Sequence, residues 1–135
     1  TFPILKLSKK GMVTIDFKEG MKSHTTFQTL RHIGNFTLIE ARPHTGRMHQ
    51  IRIHLKALKA PIVADEMYGG QFVFLSEFKK KFKINKEEDE MPIMQRVALH
   101  AFALGFEGMN GEQIYQEASY PKDFAVLVKL LEKYA

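Results

Sequence analysis

Apolar and polar residues alternate along Val13-Thr14-Ile15-Asp16-Phe17, the period of two that a half-buried strand shows because successive side chains face opposite sides. Lys18-Glu19-Gly20 closes that run with turn chemistry. Residues 25–30 and 36–41 are rich in Thr, Phe and Ile and read as two further strands. Ile33-Gly34-Asn35 lies between them; Gly and Asn tolerate positive φ, so the pair is expected to be an antiparallel hairpin. Over residues 47–60 the period changes, with Met48, Ile51, Leu55 and Leu58 falling on one face of an amphipathic helix. Thr45-Gly46 marks its start and Pro61 its end, since proline disfavours a helical conformation in the residue before it.

Tyr68-Gly69-Gly70 reads as a turn. Residues 71–95 read as a charged surface insertion, with a basic run at Lys79-Lys80-Lys81 and an acidic run at Glu87-Glu88-Asp89-Glu90. Residues 96–106 and 113–118 are expected to be strands joined through Gly108-Met109-Asn110-Gly111. Pro121 then opens a helix whose apolar face is Phe124, Leu127, Val128 and Leu131. The sum is an α+β fold: a predominantly antiparallel sheet with flanking helices, in one domain covering residues 1–135.

Composition narrows the function. At 135 residues, 44% hydrophobic and 26% charged, the chain suits one globular domain with a real core. No apolar run approaches the roughly 18 residues of a membrane span, and Thr1-Phe2-Pro3-Ile4 lacks the layout of a secretion signal, so a cytoplasmic protein without a membrane partner is expected. The absence of cysteine excludes disulfides, thiol nucleophiles and cysteine-based zinc sites. The net charge of +5 is unevenly spread: residues 1–60 hold 11 Lys and Arg against 3 Asp and Glu. This asymmetry suggests one face that attracts polyanions, although basic halves also occur in proteins that bind no nucleic acid.

The most informative stretch is Thr45-Gly46-Arg47-Met48-His49-Gln50-Ile51-Arg52-Ile53-His54-Leu55. On a helical wheel Arg52 borders the apolar stripe with His49 on the same flank, Lys56 and Lys59 continue that flank, and Arg47 and His54 take the opposite border. A border position lets Arg52 bury its stem while the guanidinium reaches a cleft and pairs bidentately with a carboxylate or phosphate. The plainer reading, surface charges on a helix whose histidines are satisfied by neighbours, stays open on chemistry alone. His44, His49 and His54 recur every five residues, unlike the i, i+4 pair of a helical zinc site, so no metal is expected.

The run T-G-R-x-H-Q-I-R-x-H, followed by Pro61-Ile62-Val63-Ala64-Asp65 and Tyr68-Gly69-Gly70, resembles the third motif of RluA-type RNA pseudouridine synthases and its G-D-x-x-Y-G-G continuation. Arg96-Val97-Ala98-Leu99-His100-Ala101 is similar to that family's R-x-A-L-H-A strand, and Lys22-Ser23-His24-Thr25-Thr26 to its K-x-x-x-T segment. Ala64 departs from the usual glycine, and the charged insertion is extra. The resemblance implies that the chain is the C-terminal part of a catalytic domain that isomerises uridine to pseudouridine in structured RNA, ribosomal or transfer, without a cofactor. It implies an aspartate in an upstream R-L-D-x-x-T/S-G motif; Arg52 would ion-pair with it. Thr45, Gly46, Arg47, His49 and Gln50 would line the same cleft and meet RNA, with Lys22, Lys56 and Lys59 as phosphate contacts. Tyr68 would be structural or face the base, His100 a satisfied core histidine, and Asp16, without the motif's flanks, an outward strand residue. Residues 1–135 alone are then expected to be inactive. The alternative is a non-catalytic RNA-binding or regulatory module on the same scaffold.

Overall fold

The computed structural model describes residues 1–8, 11–80 and 89–135. Its strands pair as three antiparallel hairpins, β1 (Ile4–Leu7) with β2 (Met12–Ile15), β3 (Thr25–Ile33) with β4 (Phe36–Pro43), and β5 (Ala103–Glu107) with β6 (Gln113–Glu117). Two helices, α1 (Gln50–Ala57) and α2 (Lys122–Tyr134), complete an α+β architecture. An isolated bridge between Ile4 and Met21 ties the first hairpin to the segment leading into β3.

The β3–β4 hairpin has the expected two-residue turn, with Gly34 at φ 56 and Ile33 paired with Phe36. It is longer than the alternation suggested, and a register shift between Thr29 and Arg31 twists it midway. A Cβ on Gly34 would come within 3.1 Å of the Ala135 backbone, because the end of α2 lies against this turn. The main core, Ile33, Val73, Met94, Phe124, Leu127 and Leu131, joins α2 to that end of the hairpin. Three of the four apolar positions expected on α2 are in it, and Val128 packs partly buried against it. An exposed Arg31–Glu132 ion pair at 2.6 Å spans the same joint.

A second cluster of Ile4, Val13, Ile53 and Tyr68 packs the first hairpin onto α1. Here the structure corrects the sequence reading. Helix α1 covers eight residues, not 47–60, because His49 takes a left-handed φ of 51 and stops the helix from extending backwards. Its other end closes before Pro61: Lys59, at φ 60, donates to the Lys56 carbonyl (2.9 Å) and Ala60 to the Leu55 carbonyl (2.9 Å), the paired bonds of a Schellman motif. The buried face is Gln50, Ile53, His54 and Leu55, while Met48 and Leu58 are exposed. Polar Gln50 and His54 thus face inward where an apolar stripe was expected.

Two further boundaries differ. Residues 96–102 are not strand; β5 begins at Ala103. Asp16 follows β2 rather than lying in it, and its carboxylate accepts from the Lys18 (2.8 Å) and Glu19 (2.9 Å) amides, building the turn itself. Those amide bonds hold its carboxyl below the usual range. Within residues 71–95, Val73 and Met94 are buried and the Ile93 amide donates to the Val73 carbonyl at 2.9 Å. Parts of the two charge runs fall in residues 81–88, outside the described residues. No helix among the described residues is long and apolar enough to cross a membrane.

Candidate functional site

The loop between β4 and α1 opens a cleft of about 320 Å³ lined by Pro43, Thr45, Gly46, Arg47, His49, Gln50, Ile51, Arg52 and Leu99. Six of the nine candidate residues therefore converge, and a residue of the R-x-A-L-H-A segment, Leu99, joins them. Lys22, Lys56 and Lys59 are exposed and lie outside the lining; Lys22 reaches the site only through its carbonyl, which accepts from Arg47 Nε at 3.3 Å.

Arg52 is held side-on by Asp65. Nε donates to Oδ2 at 2.9 Å and Nη2 to Oδ1 at 2.7 Å, with the Arg52 side chain 18% and the Asp65 side chain 1% exposed. The guanidinium also lies 4.9 Å from the centroid of the Tyr68 ring, a favourable cation–π contact. Hydrogen bonding to Asp65 raises the Arg52 pKa further above its already high ordinary value. Side-on pairing consumes Nε and one Nη2 hydrogen, leaving the Nη1 edge for a second acceptor.

Asp65 is in turn fixed by the Tyr68-Gly69-Gly70 turn. Its carbonyl accepts from the Gly70 amide at 2.7 Å, and a Cβ on Gly70 would fall 1.9 Å from the Ile62 carbonyl oxygen. Gly70 is needed for this close approach, whereas Gly69 is needed for its φ of 89. Ala64 stands at φ 63, so the alanine follows the left-handed path that glycine takes at no cost.

Tyr68 is structural, 1% exposed. Its hydroxyl accepts from the Val13 amide at 3.0 Å and lies 2.7 Å from His49 Nδ1. With its acceptor role used by Val13, it donates to Nδ1 and leaves the His49 proton on Nε2. Burial, then repulsion from Arg52, pushes the His49 pKa down, against the attraction of Asp65; His49 stays a neutral imidazole at neutral pH.

Gln50 is 4% exposed and fully engaged. Its Oε1 accepts from Thr45 Oγ1 (2.7 Å) and the Arg47 amide (3.1 Å), while Nε2 donates to the His24 carbonyl and to Thr25 Oγ1, both at 2.9 Å. It latches the cleft loop to the start of β3. His54, 1% exposed, takes a hydrogen bond from Thr25 Oγ1 at 2.9 Å and donates through Nε2 to the Phe2 carbonyl at 2.9 Å; Ser23 also bonds that carbonyl. Burial pushes its pKa down, opposed by the Phe2 bond. His44 stacks on His24 instead, at 4.5 Å between ring centres. The three histidines spaced by five thus occupy three different settings. His100 donates to the Ala118 carbonyl (2.8 Å) and packs among Phe102, Tyr120 and Phe124; it is satisfied, but it precedes β5 and is only half-buried rather than a core histidine. Arg96 pairs side-on with Asp123 in the first turn of α2 (2.8 and 3.0 Å).

Sequence reasoning missed Asp65 as the partner of Arg52 and His24 as the partner of His44. The only signal for Asp65 was its position in the G-D-x-x-Y-G-G-like segment; for His24 there was none.

Residues 4–57 match the family model described as RNA pseudouridylate synthase. An uncharacterized RNA pseudouridine synthase of Chlorobaculum parvum is 35% identical over 125 residues, covering 90% of this chain and 38% of that protein. Ribosomal large subunit pseudouridine synthase C of Buchnera aphidicola is 36% identical, covering 90% and 36%. Ribosomal large subunit pseudouridine synthase D of Haemophilus ducreyi is 32% identical, covering 84% and 34%. The chain spans about a third of the length of these relatives. On these similarities, which extend over most of its length, the chain belongs to the RluA-type family of RNA pseudouridine synthases.

Proposed function

We propose that the whole protein isomerises uridine to pseudouridine in structured RNA, and that this chain supplies the arginine-bearing wall of its active site. The reaction breaks the bond from ribose C1′ to uracil N1, turns the base, and joins C1′ to C5, with the C5 proton leaving and N1 gaining one. It balances without an oxidant, metal or organic cofactor. The observation that carries the proposal is Arg52: a guanidinium fixed by Asp65 beneath the cleft, with one edge left for a second carboxylate. An aspartate of an R-L-D-x-x-T/S-G motif fits that edge, and these 135 residues contain no such motif. Arg52 would keep it ionised and aimed, an electrostatic role that needs no reorganisation during the reaction.

Around it, Arg47 and the His49 Nε2–H are donors for RNA phosphate or sugar oxygens, with Thr45, Gly46 and Gln50 shaping the wall. Lys22, Lys56 and Lys59 are peripheral phosphate contacts. The names of the relatives favour ribosomal RNA over transfer RNA, and a cytoplasmic site of action goes with that substrate.

The test is primer extension after carbodiimide treatment of RNA incubated with the intact protein. Arg52→Met should lower turnover at least about a hundredfold, the scale of losing one preorganised electrostatic contact. Residues 1–135 alone should bind RNA in a salt-dependent way and leave uridine unmodified. Unmodified uridines with the intact protein would instead favour a non-catalytic RNA-binding module.

A further inference from the structure

Beside the cleft, His24 and His44 form a flat pair of rings 4.5 Å apart and inclined by 25°. Both residues are exposed. The other histidines near the cleft pack differently: His49 lies edge-on to the buried Tyr68 and His54 edge-on to Phe2.

The backbone beneath the pair is held at several points. The His44 amide donates to the His24 carbonyl at 2.8 Å, and the Gln50 side chain donates to the same carbonyl at 2.9 Å. The His24 amide donates to Thr45 Oγ1 at 3.0 Å, and His44 Nε2 lies 3.0 Å from Thr26 Oγ1. Thr45 lines the cleft, so a single side chain couples the platform to it. These bonds fix the backbone under both residues, and Thr26 holds the His44 ring, so a ligand that lands on the pair has less side-chain entropy left to remove.

The surroundings fit a nucleotide. Arg47 lines the adjoining cleft and donates through Nε to the Lys22 carbonyl, and Lys22, two residues before His24, is an exposed cation. Arg42, beyond Thr26, is neutralised by Glu40 at 2.6 Å and adds no net charge. Stacked rings beside separate cations suit a strand whose base and phosphate are bound apart: aromatic faces take the base, and Lys and Arg the phosphate.

We propose that the His24/His44 pair is a stacking platform for an unpaired RNA base next to the nucleotide held in the cleft. It deepens the RNA reading given above and rests on it. Because every base has a π-face, the platform tolerates sequence and selects for an unstacked, single-stranded neighbour.

The test uses residues 1–135 and fluorescence anisotropy at low salt, with two labelled RNA octamers: octauridine, and an octamer of equal phosphate number whose central positions are abasic. His44→Ala should weaken octauridine binding about tenfold and leave the abasic octamer unchanged. His44→Phe keeps a ring without the Thr26 bond and should restore octauridine affinity to within about threefold. Rescue by Phe also guards against an alanine variant that merely folds poorly. A 2-aminopurine placed centrally should be quenched by the parent chain and by His44→Phe, and not by His44→Ala. Equal losses on both octamers, no loss on either, failure of Phe to rescue, or no binding by the parent chain would each overturn the platform. The isomerase reading stands or falls separately: an intact protein that forms pseudouridine while His44→Ala binds both octamers normally removes the platform alone. Ring-dependent binding in a protein that forms no pseudouridine removes the isomerase alone.

Discussion

Replacing Asp65 with Asn keeps the shape of the side chain and removes its charge. It turns one acceptor of the Arg52 fork into an amide donor facing an N–H. The structure sets the size of the effect. Breaking a fully buried pair by removing one partner costs about 3–5 kcal/mol; here Asp65 is 1% exposed but Arg52 is 18% exposed, so water relieves part of the stranded charge. A cost of about 2–3 kcal/mol follows. At about 2.1 cal/mol/K of unfolding entropy per residue, that is a fall in Tm of roughly 7–11 °C for this chain, measured by circular dichroism with urea unfolding as a check. Arg52→Met combined with Asp65→Asn should be less damaging than the sum of the two single changes by at least about 1 kcal/mol, because the double variant leaves no unpaired charge. A Tm shift under about 2 °C for Asp65→Asn, or an additive cycle, would refute the view that Asp65 anchors the arginine.

Gly70→Ala should cost at least about 2 kcal/mol in urea unfolding, since backbone must move to admit the Cβ, whereas Gly69→Ala, strained in φ but with open space around it, should cost only about 1 kcal/mol. The reverse order would contradict the division of labour between the two glycines. Lys59→Gly should raise stability by roughly 1 kcal/mol, because the exposed lysine occupies the left-handed position that closes α1; a lower Tm would mean that its side chain matters more than its backbone. Stability should also fall with acid. His49 and His54 both have folded pKa values below the ordinary 6.5, so the unfolded chain binds protons first; stability is complete above about pH 7 and declines as pH drops below 6.5, by up to about 1.4 kcal/mol per pH unit for each group. A Tm that is flat from pH 7 to 5, or rises toward acid, would contradict the buried neutral assignment.

How far the sequence reveals this molecule depends on the range of each interaction. The β3–β4 hairpin was legible because its turn, Gly34-Asn35, and its pairing are local. Helix α2 was legible because an apolar surface really is what Phe124, Leu127 and Leu131 meet. Helix α1 misled the periodicity because its buried face mixes the apolar Ile53 and Leu55 with the polar Gln50 and His54. Gln50 and His54 go inward to satisfy Thr25, His24 and Phe2, between 25 and 52 residues away, and a spacing rule applied within one helix cannot register partners so far along the chain. Arg52 does line the cleft, yet its bond to Asp65 crosses a turn whose geometry depends on a glycine clash and a positive φ.

The motif that marks the family is therefore two things folded together. Of its polar residues, Gln50 and His54 have their hydrogen bonds taken inside the protein, and Tyr68 and Asp65 from the following segment hold the ring of His49 and the fork of Arg52. What is left facing the cleft is small: the Arg47 side chain, one nitrogen of His49 and one edge of Arg52. A substitution in the first group should act through folding stability and one at Arg47 through RNA affinity or turnover at unchanged Tm, while one at Arg52, which pairs with the buried Asp65, should move both. Thr45 belongs to both, since it bonds Gln50 below and His24 beside it. Thr45→Val should therefore lower stability and disturb the His24/His44 pair at once, linking the buried latch to the surface proposed to meet RNA.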